Sequence, residues 1–176
     1  MALIKTVDPE KAEGQVKEVF DTLQENIGMV PSPMQLASAS PGLLNIRWQY
    51  LQYFSQHPTL GFGLLSSIRY LVSQEINFAF CTSLNKKFLM QQGMTEEDIK
   101  ELEKDPSQAP LEDNERAMLT FVIKAIKAAD AVTQQDVDQL REMGWADGDI
   151  LDALEHATNM IGSSILMKTF KMDMTC

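Results

Sequence analysis

Apolar residues recur along most of the chain at spacings of three and four residues, the pattern of helices that are buried on one face. No stretch alternates apolar and polar positions between turns in the manner of a β-hairpin, so the pattern predicts an all-α protein. The first helix is expected to have Asp8 as its N-cap and Pro9 as its first residue, and to end near Gly28. The turn-rich stretch 28–43 contains three prolines and leaves room for one short helix before a second main helix over 42–55.

The longest helical pattern lies between Pro58 and Gly93, and Asn77 interrupts it as a cap or a kink. Beyond Gly93, Thr95 is followed three residues later by Asp98, which has the form of a capping box and predicts the start of a further helix. The remaining helices are expected over 113–129, after an N-cap at Thr133, and over 147–170.

Two short segments of the chain resemble each other. GMTEEDIKEL at 93–102 and GWADGDILDA at 144–153 share a glycine, a bulky apolar residue and an Asp-Ile pair at the same offsets. Two copies are fewer than a solenoid needs. The simpler interpretation is that both are the same helix stop and restart, with glycine after one helix and a polar cap on the next. A duplicated helical hairpin is the alternative.

The composition is that of an ordinary globular protein, with 44% apolar and 23% charged residues. A chain of 176 residues is expected to form a single domain with a sizeable core, with N-terminal helices and a Pro-rich connection over 1–58 and core helices over 59–176. Cys81 and Cys176 are the two cysteines, which excludes a disulfide framework and makes a reducing cytoplasm the expected location.

The charge distribution limits the kinds of macromolecule that the protein is expected to bind. A formal net charge of −10 argues against nucleic acid, because phosphate binding depends on clustered Lys and Arg. The start of the chain lacks the apolar core of a secretory signal, and the charge-free run 48–68 is too polar to span a membrane. Residues 1–92 hold seven acids and seven bases, whereas 93–115 and 130–156 each have a net charge of −7. We expect solvated helix faces there; an acidic surface that selects a basic partner is the alternative.

No strong catalytic, phosphate-binding or metal-binding motif is found. GFGLLS at 61–66 matches half of a dinucleotide fingerprint, but it follows no predicted strand and is expected to be a helix entry. Both His-Glu-x-x-His and Cys-x-x-Cys are missing, and the eleven methionines at helical spacing are typical of core packing. The sequence therefore predicts neither a cofactor nor a metal.

The segment 73–99, SQEINFAFCTSLNKKFLMQQGMTEEDI, resembles the alkylhydroperoxidase D-like (AhpD-like) and carboxymuconolactone decarboxylase family. In redox-active members a glutamate on one helix precedes an Asn-x-Cys-x-x-Cys-x-x-x-His segment and a Gly-Leu-Thr-Glu-Glu-like restart. NIGMVPSPMQLASASPGLL at 26–44 and the helices from 111 onward are also similar, so the resemblance covers almost the whole chain. It implies the AhpD-like helical fold and a homo-oligomer, either a trimer or a hexamer.

The resemblance also implies a site, which this sequence retains only in part. The first family cysteine falls on Phe78, the second on Cys81, the histidine on Asn85 and the glutamate on Ser66. Since Phe78 has no thiol, the two-cysteine redox cycle of the family is lost. Lys86 and Lys87 are the only cations nearby in the sequence, and no adjacent base is evident.

Two interpretations of Cys81 stay open. In one, Cys81 is a small buried apolar residue on a stripe with Phe78 and Phe88. In the other, Asn77 caps a helix and leaves Cys81 in its first turn, where the helix dipole stabilises a thiolate and the amide of Asn85 is within reach.

Three functions follow as expectations from the resemblance. The first is thiol-dependent reduction of a hydroperoxide by Cys81 alone, with an external thiol as recycling partner. The second is an inactive oligomer or a binding protein for a small apolar ligand. The third is decarboxylase-like chemistry on a carboxylated lactone, although the residues at 85 and 66 count against it.

His57 is a weak pocket candidate and otherwise a loop residue, whereas His156, four residues after Asp152, is expected to form a surface or half-buried hydrogen bond.

Overall fold

A computed structural model describes residues 2–172 of the chain, and these residues form helices joined by short connections, with no β-strand among them. The all-α prediction is therefore confirmed. The α-helices are, in chain order, α1 (Gly14–Ile27), α2 (Ser32–Ala37), α3 (Pro41–Ser55), α4 (Phe62–Glu75), α5 (Ala79–Gln91), α6 (Glu96–Lys104), α7 (Asp113–Lys127), α8 (Gln134–Glu142) and α9 (Asp147–Thr169). Three short 3-10 helices lie at Pro9–Lys11, Pro106–Gln108 and Ala129–Ala131.

The described residues form two compact units. The first, the N-terminal unit, contains residues 2–57 together with 163–172. The second, the central unit, contains residues 58–162. The division falls inside α9, so the first turns of this helix belong to the central unit and its last turns to the N-terminal unit.

The core of the N-terminal unit is an apolar cluster built on α1, α2 and α3. Its buried members are Ala12, Val19, Phe20, Leu23, Met34, Ala37 and Leu44. Helix α1 begins at Gly14, so the predicted start at Asp8 and Pro9 is wrong. Asp8 does accept a hydrogen bond from the backbone N–H of Glu10, but it caps a separate 3-10 turn. The backbone is extended at Ala12, which ends this turn, and the Ala12 side chain is buried in the core.

Several other predicted helix ends are confirmed. Helix α1 ends at Gly28, whose φ of 75° is readily adopted by glycine. Helix α6 begins with the predicted capping box of Thr95 and Asp98. Thr133 and Asp136 form a capping box at the start of α8. These ends depend on residues close together in the chain, which explains why local sequence predicts them.

The two similar segments use the same helix stop and restart. Gly93 and Gly144 have φ values of 97° and 95°. In both places the residue after the glycine donates its backbone N–H to the carbonyl five residues earlier, at 3.2 Å and 3.1 Å. Asp98 and Asp149 then accept backbone N–H bonds at the start of the next helix, at 2.7 Å and 2.9 Å. The simpler interpretation of the repeat therefore accounts for it.

The central unit is organised around α4, which packs against α5 and α7. Five consecutive residues of α4, 64–68, are each at most 2% exposed, so this helix is buried on nearly every side. The helical conformation is interrupted after α4 at Asn77, whose φ is 52°. The backbone N–H of Phe78 then donates to the carbonyl of Ser73 at 2.7 Å. The predicted interruption at Asn77 is confirmed, but the N-cap of α5 is Phe78 and not Asn77.

The acidic segments of the second half carry exposed ion pairs. Asp136 lies 2.7 Å from Lys124, and Arg141 lies 2.7 Å from both Asp138 and Asp147. Such pairs lie on the helix surface, where solvent screens them. No helix within residues 2–172 combines the length and the apolar character needed to cross a bilayer.

Candidate functional site

A polar cluster centred on the guanidinium of Arg69 connects three helices of the central unit. From α4, Arg69 Nε donates to Asn85 Oδ1 on α5 at 2.7 Å. Its Nη2 donates to Ser66 Oγ on the preceding turn of α4 at 2.9 Å, and its Nη1 lies 3.0 Å from Nε2 of His156 on α9. We call Ser66, Arg69, Asn85 and His156 the arginine cluster. The guanidinium therefore connects polar side chains from three helices.

The hydrogen bonds of the cluster determine the state of its imidazole and its amide. All N–H groups of a guanidinium are donors, so Nε2 of His156 accepts and the ring proton resides on Nδ1. Asn85 accepts from Arg69 through Oδ1 and donates through Nδ2 to the backbone carbonyl of Cys81 at 2.8 Å. The Asn85 amide thus has one orientation that satisfies both of its ends.

The arginine cluster is largely buried beneath an aromatic cover. Ser66 is fully buried, Asn85 is 2% exposed and His156 is 6% exposed. The Arg69 guanidinium lies over the ring of Phe62, 5.6 Å from its centroid, and Phe62 meets Phe88 edge to face at 5.5 Å. Phe62 is itself about half exposed, at 52%, so the cover lies at the protein surface.

Cys81 is the third residue of α5 and is half-buried. Its location in the first turn is the one that the second sequence interpretation requires, and it places the residue near the positive end of the helix dipole. Phe78, at the position of the first family cysteine, is completely buried. The first interpretation expected Phe78, Cys81 and Phe88 to form one buried apolar stripe. Of these three residues only Phe78 is fully buried, whereas Cys81 and Phe88 are partly exposed.

Arg69, the residue that organises the site, is not among the residues predicted from the sequence. Lys86, one of the two cations expected near Cys81, forms an ion pair with Glu96 at 2.7 Å. The cation bonded to Asn85 is Arg69 instead. A signal for it exists in the sequence, since Arg69 is the first charged residue of α4 and lies three residues after Ser66 on the same helical face.

The two histidines occupy different units. The half-buried hydrogen bond expected of His156 is present and joins it to Arg69, although the His156 side chain itself is only 6% exposed. His57 belongs to the N-terminal unit, where its ring packs edge to face on Tyr53 at 5.4 Å and stacks near Phe54 at 6.1 Å. Cys176 lies outside the described residues.

Comparison with known proteins identifies the architecture. No family model matches the sequence, and no curated protein matches it. A solved structure described as an alkylhydroperoxidase AhpD core, an uncharacterized peroxidase-related protein from Ralstonia eutropha JMP134, superposes with a TM-score of 0.80. It is 19% identical, and the match covers 98% of this chain and 91% of that chain. The chain has the AhpD-like fold.

Two further solved structures share the AhpD-like fold. An uncharacterized peroxidase-related protein from Silicibacter sp. TM1040 has a TM-score of 0.74 and 20% identity, over 96% of this chain and 90% of that chain. A cysteine-to-alanine variant of the debrominase Bmp8, in complex with 2,3,4-tribromopyrrole, has a TM-score of 0.79 and 13% identity, over 100% and 93%. At these identities the likeness concerns the fold alone.

In the AhpD-like fold of this chain, the positions that the resemblance assigns to glutamate and histidine carry Ser66 and Asn85, and both bond to Arg69. A guanidinium can stabilise an anion such as a thiolate, an alkoxide or a carboxylate. Among residues 2–172 no group of three His, Cys, Asp or Glu side chains is arranged to hold a metal ion.

Proposed function

We propose that the protein reduces small organic hydroperoxides with the thiolate of Cys81, and that the arginine cluster supplies positive charge beside it. The observation that carries this proposal is the bonding of Arg69 to Asn85, because Asn85 lies one helical turn after Cys81 on α5 and donates to the Cys81 carbonyl. The likeness to two peroxidase-related proteins supports it. The Bmp8 complex supports a site of small-molecule size, since a protein of this fold binds a tribromopyrrole.

The proposed reaction is a one-cysteine cycle. The Cys81 thiolate attacks the terminal oxygen of the hydroperoxide, so that an S–O bond forms, the O–O bond breaks and the alkoxide leaves as the alcohol after taking a proton. Cys81 is thereby oxidised to a sulfenic acid. One external thiol displaces water to give a mixed disulfide, and a second releases a disulfide and restores Cys81. Phe78 provides no thiol, so the external thiol takes the place of the family's second cysteine.

Each member of the cluster has a role in this cycle. The positive charge of Arg69 favours the thiolate and the developing alkoxide, both of which are anions. Asn85 links the two parts of the site, because it bonds to Arg69 and to the Cys81 carbonyl. His156 accepts from Arg69 and is a positioning residue for the guanidinium. Phe62 and Phe88 provide an apolar rim for the organic part of the substrate.

The test measures consumption of cumene hydroperoxide with dithiothreitol as reductant. Cys81→Ser should abolish turnover, whereas the matched variant Cys176→Ser should keep it. Arg69→Met should lower the rate by at least about tenfold, and Arg69→Lys should retain part of it because the charge remains. Unchanged turnover in Cys81→Ser, or no turnover by the unaltered protein, would refute the proposal.

A second candidate function is favoured by His156. The family histidine position holds Asn85, but His156 brings an imidazole from α9 to the same cluster. Together with Arg69 as a carboxylate partner, it supports decarboxylation of a small carboxylated lactone. Release of carbon dioxide that survives Cys81→Ser but is lost in His156→Gln would favour this lyase over the peroxidase.

We also infer that the protein is a homo-oligomer, as the resemblance implies. Several large apolar side chains are exposed, and the most exposed of those on α-helices are Leu151 at 67%, Ile46 at 63% and Ile165 at 60%. Single exposed apolar residues are common, but helix-borne ones of this size suit a subunit interface. Sedimentation velocity across a range of concentrations tests this, and a monomer at every concentration would contradict it.

A further inference from the structure

The N-terminal unit contains an apolar cavity of about 290 Å³. Its walls come from α2, α3, the last turns of α9 and the segment before α1, with Leu36, Leu43, Leu166 and Phe170 among the apolar residues. This volume lies just below the roughly 300–1,000 Å³ range of small-molecule sites, so the cavity suits a small ligand. All of its lining residues belong to the N-terminal unit, so it is a different feature from the arginine cluster.

One cation lines this cavity. The guanidinium of Arg47, on α3, donates from Nη1 to Ser163 Oγ at 3.2 Å, and Ser163 is buried at 8% exposure. The other lining residues include no aspartate and no glutamate. Burial lowers the pKa of Arg47, which means that the surroundings disfavour its charged form. Arg47 is partly buried, and a serine hydroxyl compensates its charge only in part, because the hydroxyl carries no charge.

We propose that this cavity binds a small amphiphilic monocarboxylate. The carboxylate accepts from Arg47 and Ser163, and the hydrocarbon part packs on Leu36, Leu43 and Phe170. Two features select this class of ligand. An anion supplies the negative charge that the lining residues lack. A guanidinium can also hold a carboxylate through two parallel hydrogen bonds. The apolar wall excludes ligands that are polar at both ends, since their second polar group would lose its water without a partner.

This inference does not depend on the proposed peroxidase activity, because none of the residues involved belongs to the arginine cluster. A second chain covering the exposed edge of the cavity at Leu43 is the competing occupant. The two occupants differ in charge. Binding of a monocarboxylate requires the positive charge of Arg47, whereas binding of an apolar face of another chain is not strengthened by that charge.

The test is calorimetric titration of the intact protein with three probes. Hexanoate should bind, hexanol should bind at least about tenfold more weakly because it lacks the charge, and acetate should bind weakly because it lacks the apolar tail. Arg47→Met should reduce the affinity for hexanoate by at least about tenfold. The matched variant Lys5→Met removes one exposed positive charge from the same unit and should leave the affinity unchanged.

A second variant guards against a trivial loss of structure. Leu43→Trp fills the cavity while keeping Arg47, and it should abolish hexanoate binding with a normal circular dichroism spectrum. No hexanoate binding by the unaltered protein overturns the proposal, as does equal binding of hexanol or unchanged binding in Arg47→Met. Self-association that Leu43→Trp disrupts, without any hexanoate binding, identifies a second chain as the occupant and also overturns it.

Discussion

Arg69 on α4 donates a 2.7 Å hydrogen bond from Nε to Oδ1 of Asn85 on α5. The bond therefore joins the two helices on which the family resemblance places its redox site. Helix α4 carries Ser66 at the glutamate position, and α5 carries Asn85 at the histidine position. Neither position carries a group that titrates near neutral pH, since they hold Ser66 and Asn85, and both bond to the Arg69 guanidinium. The side chains at the family's acid and base positions, Ser66 and Asn85, are therefore both bonded to one arginine.

Changing Asn85 to Asp tests this view with a single added charge. A carboxylate at position 85 should pair with Arg69 and neutralise the positive field beside Cys81, so the Cys81 thiolate should become less favourable. We expect alkylation of Cys81 by iodoacetamide at neutral pH to slow by about tenfold or more. Asn45→Asp on α3 makes the same chemical change in the N-terminal unit and should leave the rate unaltered. An equal or faster rate in Asn85→Asp would contradict the cation-centred site.

Changing Phe78 to Cys tests whether this single substitution is enough to restore a disulfide with Cys81. Phe78 is the N-cap of α5 and Cys81 its third residue, the spacing of a Cys-x-x-Cys pair at a helix start. The variant should form an intramolecular disulfide, read as loss of two free thiols under oxidising conditions. In the reduced state it should be destabilised by about 3 kcal/mol, because a fully buried ring is removed.

The matched control for this pair is Phe80→Cys. Phe80 is also buried, at 3%, but it lies next to Cys81 in the chain and lacks the three-residue spacing. It should show a comparable loss of stability without forming the disulfide. If both thiols of Phe78→Cys remain free after oxidation, the two positions do not have the geometry of the family pair.

Changing Asp136 to Asn tests the capping box of α8 through its pH dependence. Hydrogen bonds from Lys124 and from the Thr133 backbone and hydroxyl lower the pKa of Asp136 to about 2. Because the pKa in the folded state lies below that of the unfolded chain, the stabilisation is present above about pH 4 and is lost as the pH falls through about 2. Asp136→Asn should lower the melting temperature at neutral pH and should lose that difference near pH 2.

Asp130→Asn is the control for this titration, because Asp130 is exposed and lies outside the capping box. Its melting temperature should follow that of the unaltered protein at both pH values. A constant difference between Asp136→Asn and the unaltered protein across the whole range would show that the Asp136 charge does not stabilise α8.

Much of the fold was predictable from the sequence, because most helix ends depend on residues close together in the chain. The capping boxes at Thr95 and Thr133 and the glycine stops at Gly28 and Gly93 use hydrogen bonds across three to five residues. Two helix starts differ from the prediction: the N-cap of α5 is Phe78 and not Asn77, and α1 begins at Gly14 and not at Pro9. Asp8 and Pro9 do begin a helical turn, but it ends at Ala12, whose backbone is extended and whose side chain belongs to the core.

The candidate site was predictable only in part. The resemblance placed Ser66, Phe78, Cys81 and Asn85, and these positions do gather around α4 and α5. Local sequence could not indicate that Arg69 joins Asn85 to His156, because Arg69 and His156 are 87 residues apart. No periodicity or motif spacing encodes which side chain of α9 faces α4, since that depends on how separate helices pack.

The sequence by itself determined the helical class, the ends of most helices and the absence of a two-cysteine pair at residues 78 and 81, because each of these depends on residue type and short spacing. The tertiary structure alone decided that Cys81 is half-buried, that Arg69 is the cation of the cluster and that His156 lies inside it. It also placed Arg47 against an apolar cavity. The physical reason is that burial and charge pairing result from long-range packing, in which residues far apart in the chain become neighbours.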